Sequence, residues 1–458
     1  MSRYRVQNPA TGEVVETFDA ADDSEIDAAI AAADEAFRLW AGRSIQDRAA
    51  IVHRVAELFT ERKDELARII AQEMGKPLQE GIEEVEFAAS IIDYYAVHGP
   101  SLATDVEIPS TIPGKAWIER RPVGPLLGVM PWNFPYYQVA RFAAPNLVLG
   151  NTILLKHAEI CPRSSQAIEE IMHEAGVPAG AYANLYATHD QIAAIIGDPR
   201  VQGVSLTGSE RAGSIIGEQA GRNLKKAVLE LGGIDAMVVL SADDIAQVAR
   251  DGWDFRVYNG GQVCNGNKRM IVMDDLYDAF VAELVTQADG LTAGDPLDMP
   301  ERGYAPLSSR QAAETVHEQV QRAVAEGAKL LAGGVLADDG SAYYSPAVLV
   351  DVARDSSVFQ EEIFGPVALV VRVSSDEEAL EVANDSAFGL GGSVFASDAA
   401  RAARIASRLD VGMTHVNIIA AEAAELPFGG VKRSGFGREM GPLGMDEFVN
   451  KRFSFVAE

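Results

Sequence analysis

From Ile26 the apolar positions step by four and three: Ile26, Ile30, Ala33, Phe37 and Trp40 share one face of a 3.6-residue period. The pattern predicts an amphipathic helix over 22–40, with Asp22, Asp23 or Ser24 as its N-cap. A longer helical region runs from Gln46 to Met74 and should stop at Gly75-Lys76-Pro77. Another runs from Leu78 to Val97 and should end at Gly99-Pro100. The first hundred residues thus read as mostly helical, with no obvious chemistry. The period changes over 104–122. There two alternating segments flank Thr111-Ile112-Pro113-Gly114, a hairpin signal.

Beyond the hairpin, short apolar runs alternate with helical stretches. Residues 126–130, 153–156, 183–186, 203–206, 227–229 and 237–240 read as strands, and 163–174 and 209–220 as helices. Such alternation predicts an α/β fold: a parallel sheet covered by helices, with ligands at the carboxyl ends of its strands. A second αβ unit extends over 243–373, and helices are expected over 311–327, 376–387 and 398–409. The tail Lys451–Val456 alternates and reads as a strand for a partner's sheet edge.

Composition narrows the class. Hydrophobic residues at 48% and charged residues at 23% describe an ordinary globular protein, and 458 residues suggest two to four domains. The net charge of −28 disfavours nucleic acid and anionic lipid as partners. Two cysteines argue against a disulfide framework and fit a reducing compartment. Met1–Arg5 lead into the polar turn Asn8–Gly12 without the apolar core of a signal peptide, and no run of 18 apolar residues exists. A cytoplasmic location is expected. Seven scattered histidines form no HExxH or paired spacing, so no metal is expected.

One of the two cysteines, Cys264, sits among glycines and amides in Tyr258-Asn259-Gly260-Gly261-Gln262-Val263-Cys264-Asn265-Gly266-Asn267-Lys268-Arg269. A structural cysteine normally has aliphatic neighbours. Here the glycines permit unusual backbone, and Lys268 and Arg269 are cations able to favour a thiolate, although the sequence leaves open whether Cys264 rests as thiol or thiolate. Read alone, the stretch is more often a small residue in a polar loop, because a lone cysteine is weak evidence without partners elsewhere. Gly208-Ser209-Glu210-Arg211-Ala212-Gly213 opens a helix and lacks the GxGxxG pattern, although a helix N-terminus favours an anion. Glu230 before Gly232-Gly233 reads by itself as the end of a strand.

Five motifs then occur in order: Pro131-Trp132-Asn133-Phe134-Pro135, Glu230-Leu231-Gly232-Gly233, Gly261-Gln262-Val263-Cys264, Glu362-Ile363-Phe364-Gly365-Pro366 and Pro427-Phe428-Gly429-Gly430. The chain resembles the aldehyde dehydrogenase superfamily from Asn8 to near its end, most of all its NAD(P)-dependent succinate-semialdehyde dehydrogenases. The resemblance implies a Rossmann-like coenzyme domain over 1–103 and 123–232 and an αβ catalytic domain over 233–434. A β-hairpin oligomerisation element over 104–122 and 435–458 would build a homodimer or homotetramer.

The resemblance also implies roles. Cys264 attacks the aldehyde, Asn133 and the Cys264 N–H hold the oxyanion, and Glu230 is the general base. Trp132, Lys156, Glu159, Gly208, Ser209, Glu362 and Phe364 bind the coenzyme. Glu159 faces the adenosine ribose, where a carboxylate suits NAD better than NADP. Cys161 is structural. Arg141 takes the substrate carboxylate, with Tyr258, Glu422 and Phe428 lining the pocket. Two departures stand out. Tyr258 replaces an arginine found in some relatives, and Glu422 replaces a serine, which suits a polar or cationic aldehyde. An acylating dehydrogenase is disfavoured because Glu230 is present. A silent scaffold on the same fold is disfavoured because Cys264, Asn133 and Glu230 are all present.

Overall fold

Two parallel sheets organise the chain. The computed structural model describes residues 4–458, so Met1–Arg3, where the reading of the leader begins, lie outside the described residues. The first sheet runs Gly435–Phe436, Lys226–Glu230, Gly203–Thr207, Pro125–Val129, Thr152–Lys156, Tyr182–Asn184. All neighbours are parallel except the Gly435–Phe436 edge. Thr152–Lys156 and Gly203–Thr207 are buried along their whole length, as expected of strands covered on both faces. Strand order reverses between Pro125–Val129 and Gly203–Thr207, which opens a crevice at the carboxyl ends. Lys156, Thr207 and Glu230 are the last residues of their strands.

The second sheet has seven strands: Lys329–Ala332, Ala347–Val350, Val367–Val373, Arg269–Met273, Ala236–Val239, Gly391–Phe395 and Met413–Val416. Only the first pair is antiparallel. Cys264 lies in the loop between helix Ile245–Val257 and strand Arg269–Met273. This α/β architecture matches the expected fold class.

Several boundaries moved for physical reasons. The first helix is Asp23–Ala41, and Asp22 caps it within a capping box completed by Glu25. The region from Gln46 to Met74 is two helices, Ile45–Glu61 and Lys63–Met74, parted at Arg62 (φ −100°, ψ 12°). Gly75 ends the second in the left-handed region (φ 80°). The next helix, Leu78–Leu102, does not stop at Gly99-Pro100. Pro100 falls in the last turn, where a missing N–H forfeits only one intrahelical bond. Helix Pro135–Leu149 has no amphipathic signature because every one of its residues is buried.

The tail forms the expected strand, at the edge of a sheet of its own chain. Val449–Ala457 pairs antiparallel with Gly114–Pro122 of its own chain, which pairs in turn with Val106–Ile108. The segment 435–458 therefore divides: Gly435–Phe436 extends the first sheet and the tail completes a three-stranded sheet with the hairpin. Arg452 binds the Glu119 carboxylate across that sheet, and Arg121 joins it from the same strand as Glu119. Among the described residues no helix is long and apolar enough to cross a membrane.

Candidate active site

The turn Tyr258–Gly261 leads to Cys264. Asn259 (φ 51°), Gly260 (φ 61°) and Gly261 (φ 72°) are all left-handed. At Gly261 a Cβ would collide with the carbonyl of Gly365, so glycine is required there. The turn is held by buried polar groups. Arg256 Nη2 donates to Gly261 O at 2.9 Å, and the Asn259 amide donates to Asn133 O at 2.8 Å. Asn133 Nδ2 donates to Gln262 O at 3.0 Å. Asn133 and the approach to Cys264 are thus fixed to each other.

Asn133 precedes helix Pro135–Leu149, whose N-terminus has no cap from its own segment. Glu84 serves instead: its Oε1 accepts from Tyr136 N at 2.8 Å and Tyr137 N at 3.3 Å. Lys76 pairs with the other oxygen of Glu84, both side chains being fully buried. The Lys76 Nζ also sits 3.7 Å from the centroid of the Phe134 ring. The helical N-terminal region, which looked chemically silent, therefore supplies Lys76, Glu80 and Glu84 to the back of the site. The sequence signal was there in Gly75-Lys76-Pro77 and the acids that follow, but spacing on one helix does not reveal a partner 50 residues away.

Cys264 opens onto a cavity of about 240 Å³ lined by Glu84, Phe134, Tyr137, Tyr258, Glu422 and Phe428, among others. Burial pushes its thiol up to about 12, and Arg141 and Lys268 pull the other way. Burial thus outweighs the two cations and favours the thiol, a balance the sequence left open. Arg269 does not take part: its guanidinium donates to the carbonyls of Ile234, Val382 and Ala383. Lys268 Nζ donates to Val263 O and Cys264 O and pairs with Glu362 at 3.0 Å.

Glu230 ends its strand, as the sequence alone suggested, and is buried. Both its oxygens lack a hydrogen-bond partner among the described residues. Burial and the neighbouring Glu439 push its carboxyl well above the usual range, against Arg141 and Arg438. Arg141 is also buried, with its Nε 2.8 Å from Glu439 Oε2. It lies behind the cavity wall, over the rings of Tyr137 and Phe428 at 4.6 and 4.5 Å. Glu422 stands at the cavity mouth, exposed by area yet crowded by protein, and accepts from Asn265 Nδ2 at 2.6 Å. That crowding raises its carboxyl, against the Asn265 hydrogen bond and the charge of Arg141.

The crevice of the first sheet gathers the other expected residues. Lys156 is buried, with Nζ 5.7 Å from the Tyr4 ring, and Glu159 lies 4.0 Å from His189 Nε2. Ser209 caps helix Glu210–Arg222 by accepting from Ala212 N. Beside Gly208, the buried Thr207 Oγ1 has no hydrogen-bond partner among the described residues. Across the crevice, Trp132 and Phe364 meet edge to face at 5.7 Å. Glu362 Oε1 accepts from Gly233 N at 3.2 Å, and a Cβ on Gly232 would strike its other oxygen. Strand ends that carry Lys156 and Thr207 beside a helix N-terminus fit a dinucleotide. Cys161 is fully buried, away from the cavity wall.

Comparison with known proteins agrees with this geometry. The model of the aldehyde dehydrogenase family matches residues 1–453. The chain is 52% identical to a succinate-semialdehyde dehydrogenase [NADP(+)] of Deinococcus radiodurans, over 98% of this chain and 94% of that protein. It is 40% identical to the succinate semialdehyde dehydrogenase [NAD(P)+] Sad of Escherichia coli, over 97% and 96% of the two chains. A crystal structure of succinic semialdehyde dehydrogenase from Streptococcus pyogenes with NADP+ superposes with a TM-score of 0.96 at 41% identity, covering 99% and 100%. None of these names supports the expected preference for NAD. The chain belongs to the aldehyde dehydrogenase family and is an NAD(P)-dependent aldehyde oxidoreductase.

Proposed function

We propose that the chain oxidises succinate semialdehyde to succinate through Cys264. The observation that carries the chemistry is a cysteine opening onto a cavity near a buried carboxylate, Glu230, whose oxygens accept no hydrogen bond. The Cys264 sulfur adds to the aldehyde carbon to give a thiohemiacetal. Asn133 Nδ2 carries two hydrogens and spends one on Gln262 O, so the other is available to the oxyanion alongside the Cys264 N–H. Bound NAD(P) supplies the hydride acceptor, which leaves a thioester on Cys264. Glu230 then takes a proton from water, which attacks the thioester and releases acid and thiol. A carboxyl with raised proton affinity suits that task.

Lys156, Glu159, Gly208 and Ser209 would hold the adenosine and pyrophosphate end of the coenzyme, and Trp132, Glu362 and Phe364 the nicotinamide end. Glu159 disfavours a 2′-phosphate by charge, which supports NAD, whereas the named relatives support NADP. We read the chain as accepting both. The first sheet with its helices forms the coenzyme domain and the second the catalytic domain. The three-stranded sheet exposes Val106, Phe453 and Val456 and would serve self-association. Two free cysteines suit the cytoplasm.

Relatives named for succinate semialdehyde support the substrate, as does the buried cation Arg141 behind the wall. A second reading, a cationic or neutral aldehyde, draws on Glu83, Glu84 and Glu422 beside aromatic rings in the same cavity. Formation of reduced coenzyme with succinate semialdehyde, a neutral aliphatic, an aromatic and an aminoaldehyde decides between them. Succinate semialdehyde should give the highest kcat/KM, and Cys264→Ala should abolish turnover of all four. A higher value for the aminoaldehyde would sink the proposed substrate and leave the chemistry standing.

A further inference from the structure

We propose that Glu80 is a positioning residue for the nucleophile: its carboxylate holds the turn that brings Cys264 and Asn133 to one point. The proposal deepens the function above and rests on Cys264 being the nucleophile. Glu80 lies in the first turn of helix Leu78–Leu102, far in sequence from the turn Tyr258–Gly261. Its Oε2 accepts from Asn259 N at 2.7 Å. Among the described residues no other hydrogen bond ties that N–H.

Asn259 needs such a hold. It is a non-glycine residue in the left-handed region (φ 51°, ψ 36°), and two more left-handed residues follow it. Such backbone persists only where its surroundings fix it. Asn259 is also the hub of the site. Its side chain donates to Asn133 O at 2.8 Å, and its carbonyl accepts from Gln262 N at 3.1 Å and Gln262 Nε2 at 2.9 Å. Gln262 O in turn accepts from Asn133 Nδ2 at 3.0 Å. A shift at Asn259 therefore moves the oxyanion donor and the backbone two residues before Cys264 together. Arg256 on Gly261 O and Ser308 N on Gln262 Oε1 secure the later part of the turn, and Glu80 secures its start.

The helix that carries Glu80 is itself anchored. Leu78 N donates to Pro296 O at 2.8 Å, and Lys76 just before it is buried against Glu84. Burial raises the Glu80 carboxyl to about 7, against the Asn259 N–H and Lys76 and with Glu83. Such a cost is retained at this position because the hydrogen bond specifies one conformation of the turn.

The test uses the full chain with Glu80→Gln, Glu80→Ala and Glu80→Asp. Three quantities are read: kcat and KM for aldehyde oxidation, the rate of Cys264 alkylation by iodoacetamide without aldehyde, and the melting temperature. The glutamine carbonyl can accept the same N–H, so that variant should keep kcat within about threefold of the parent. Alanine removes the acceptor, and aspartate is one methylene short. Both should lose roughly ten- to a hundredfold in kcat, with KM little changed, as expected for misplacement by about 1 Å. Both should also change the alkylation rate. If the alanine variant does not fold, aspartate against glutamine carries the comparison. Parental kcat and alkylation in the aspartate variant would overturn the proposal, as would equal losses in aspartate and glutamine. Turnover by Cys264→Ala would instead overturn the underlying reading, whatever the Glu80 variants do.

Discussion

Arg141 Nε and Glu439 Oε2 lie 2.8 Å apart in a buried ion pair that joins helix Pro135–Leu149 to the loop after Phe436. The guanidinium makes its hydrogen bonds elsewhere: Tyr137 Oη accepts one from Arg141 Nη1 at 3.1 Å, and Gln138 Oε1 another from Nη2. The guanidinium is thus committed to structure as well as to the charge of the site. Removing it strands Glu439 next to Glu230, two carboxyls already pushed up by burial. Arg141→Ala should therefore lose roughly 3–5 kcal/mol of stability, the usual cost of breaking a buried pair from one side. Urea unfolding at pH 7 checks this. A loss below about 1 kcal/mol, the range of exposed pairs, would mean that the pair is solvated in solution.

The Cys264 thiol is pushed up to about 12 because burial outweighs Arg141 and Lys268. Only the thiolate reacts with iodoacetamide. In the enzyme without coenzyme, the alkylation rate should rise about tenfold per pH unit between pH 7 and 10 and show no plateau. Mass spectrometry of the Cys264 peptide over time measures it. A plateau near neutral pH would show a resting thiolate. Coenzyme binding remains free to change that balance, which the same experiment with NAD or NADP present would read.

The two charges that follow Cys264 show where sequence reading ends. Lys268 and Arg269 are adjacent, but the strand that begins at Arg269 sends them to different sides. One reaches the site and the other a set of carbonyls. Amphipathic helices such as Asp23–Ala41 were legible to within a residue because one face meets water. Helix Pro135–Leu149 was not, because it is buried all round and carries no period. The motifs pointed to Cys264 and Glu230 through a glycine-marked turn and a strand end, and to Asn133 through the Pro131–Pro135 segment alone. They did not disclose Glu80, Glu84 and Lys76, whose partners lie in other elements. The tail's alternation was legible as a strand, but not that its partner is Gly114–Pro122 of the same chain.

Glu159 sets up a test of coenzyme choice. Its side chain is partly exposed at the crevice, 4.0 Å from His189. A full negative charge there opposes a 2′-phosphate by about 1 kcal/mol or more, depending on how much water intervenes. Glu159→Ala should therefore raise the ratio of kcat/KM with NADP to that with NAD by about tenfold. Initial rates with both coenzymes at one saturating aldehyde concentration give the ratio. An unchanged ratio would place the phosphate away from Glu159, and NADP use by the relatives would need no special accommodation.

His157 gives the chain a defined acid sensitivity. Burial holds its imidazole neutral, lowering it from 6.5 to about 4. Its Nδ1 accepts from Ala158 N at 2.7 Å, so the proton sits on Nε2, which donates to Pro135 O at 3.0 Å. The folded pKa is depressed, so the unfolded chain binds the proton first as pH falls. His157 therefore contributes no penalty above about pH 6.5, and its penalty grows from there down to about pH 4. Between pH 7 and 5 the loss from this one residue is about 2 kcal/mol. Buried carboxyls act in the opposite sense: Glu73, raised to about 8, and Asp235, raised to about 7, favour the folded state as pH falls. The net slope of the parent protein mixes these effects, but a difference isolates His157. The stability of His157→Gln relative to the parent should improve by about 2 kcal/mol on going from pH 7 to pH 5, measured by urea unfolding at each. A constant difference would mean that the ring titrates in the fold as it does in the unfolded chain, and that Nδ1 does not hold the Ala158 N–H against protonation.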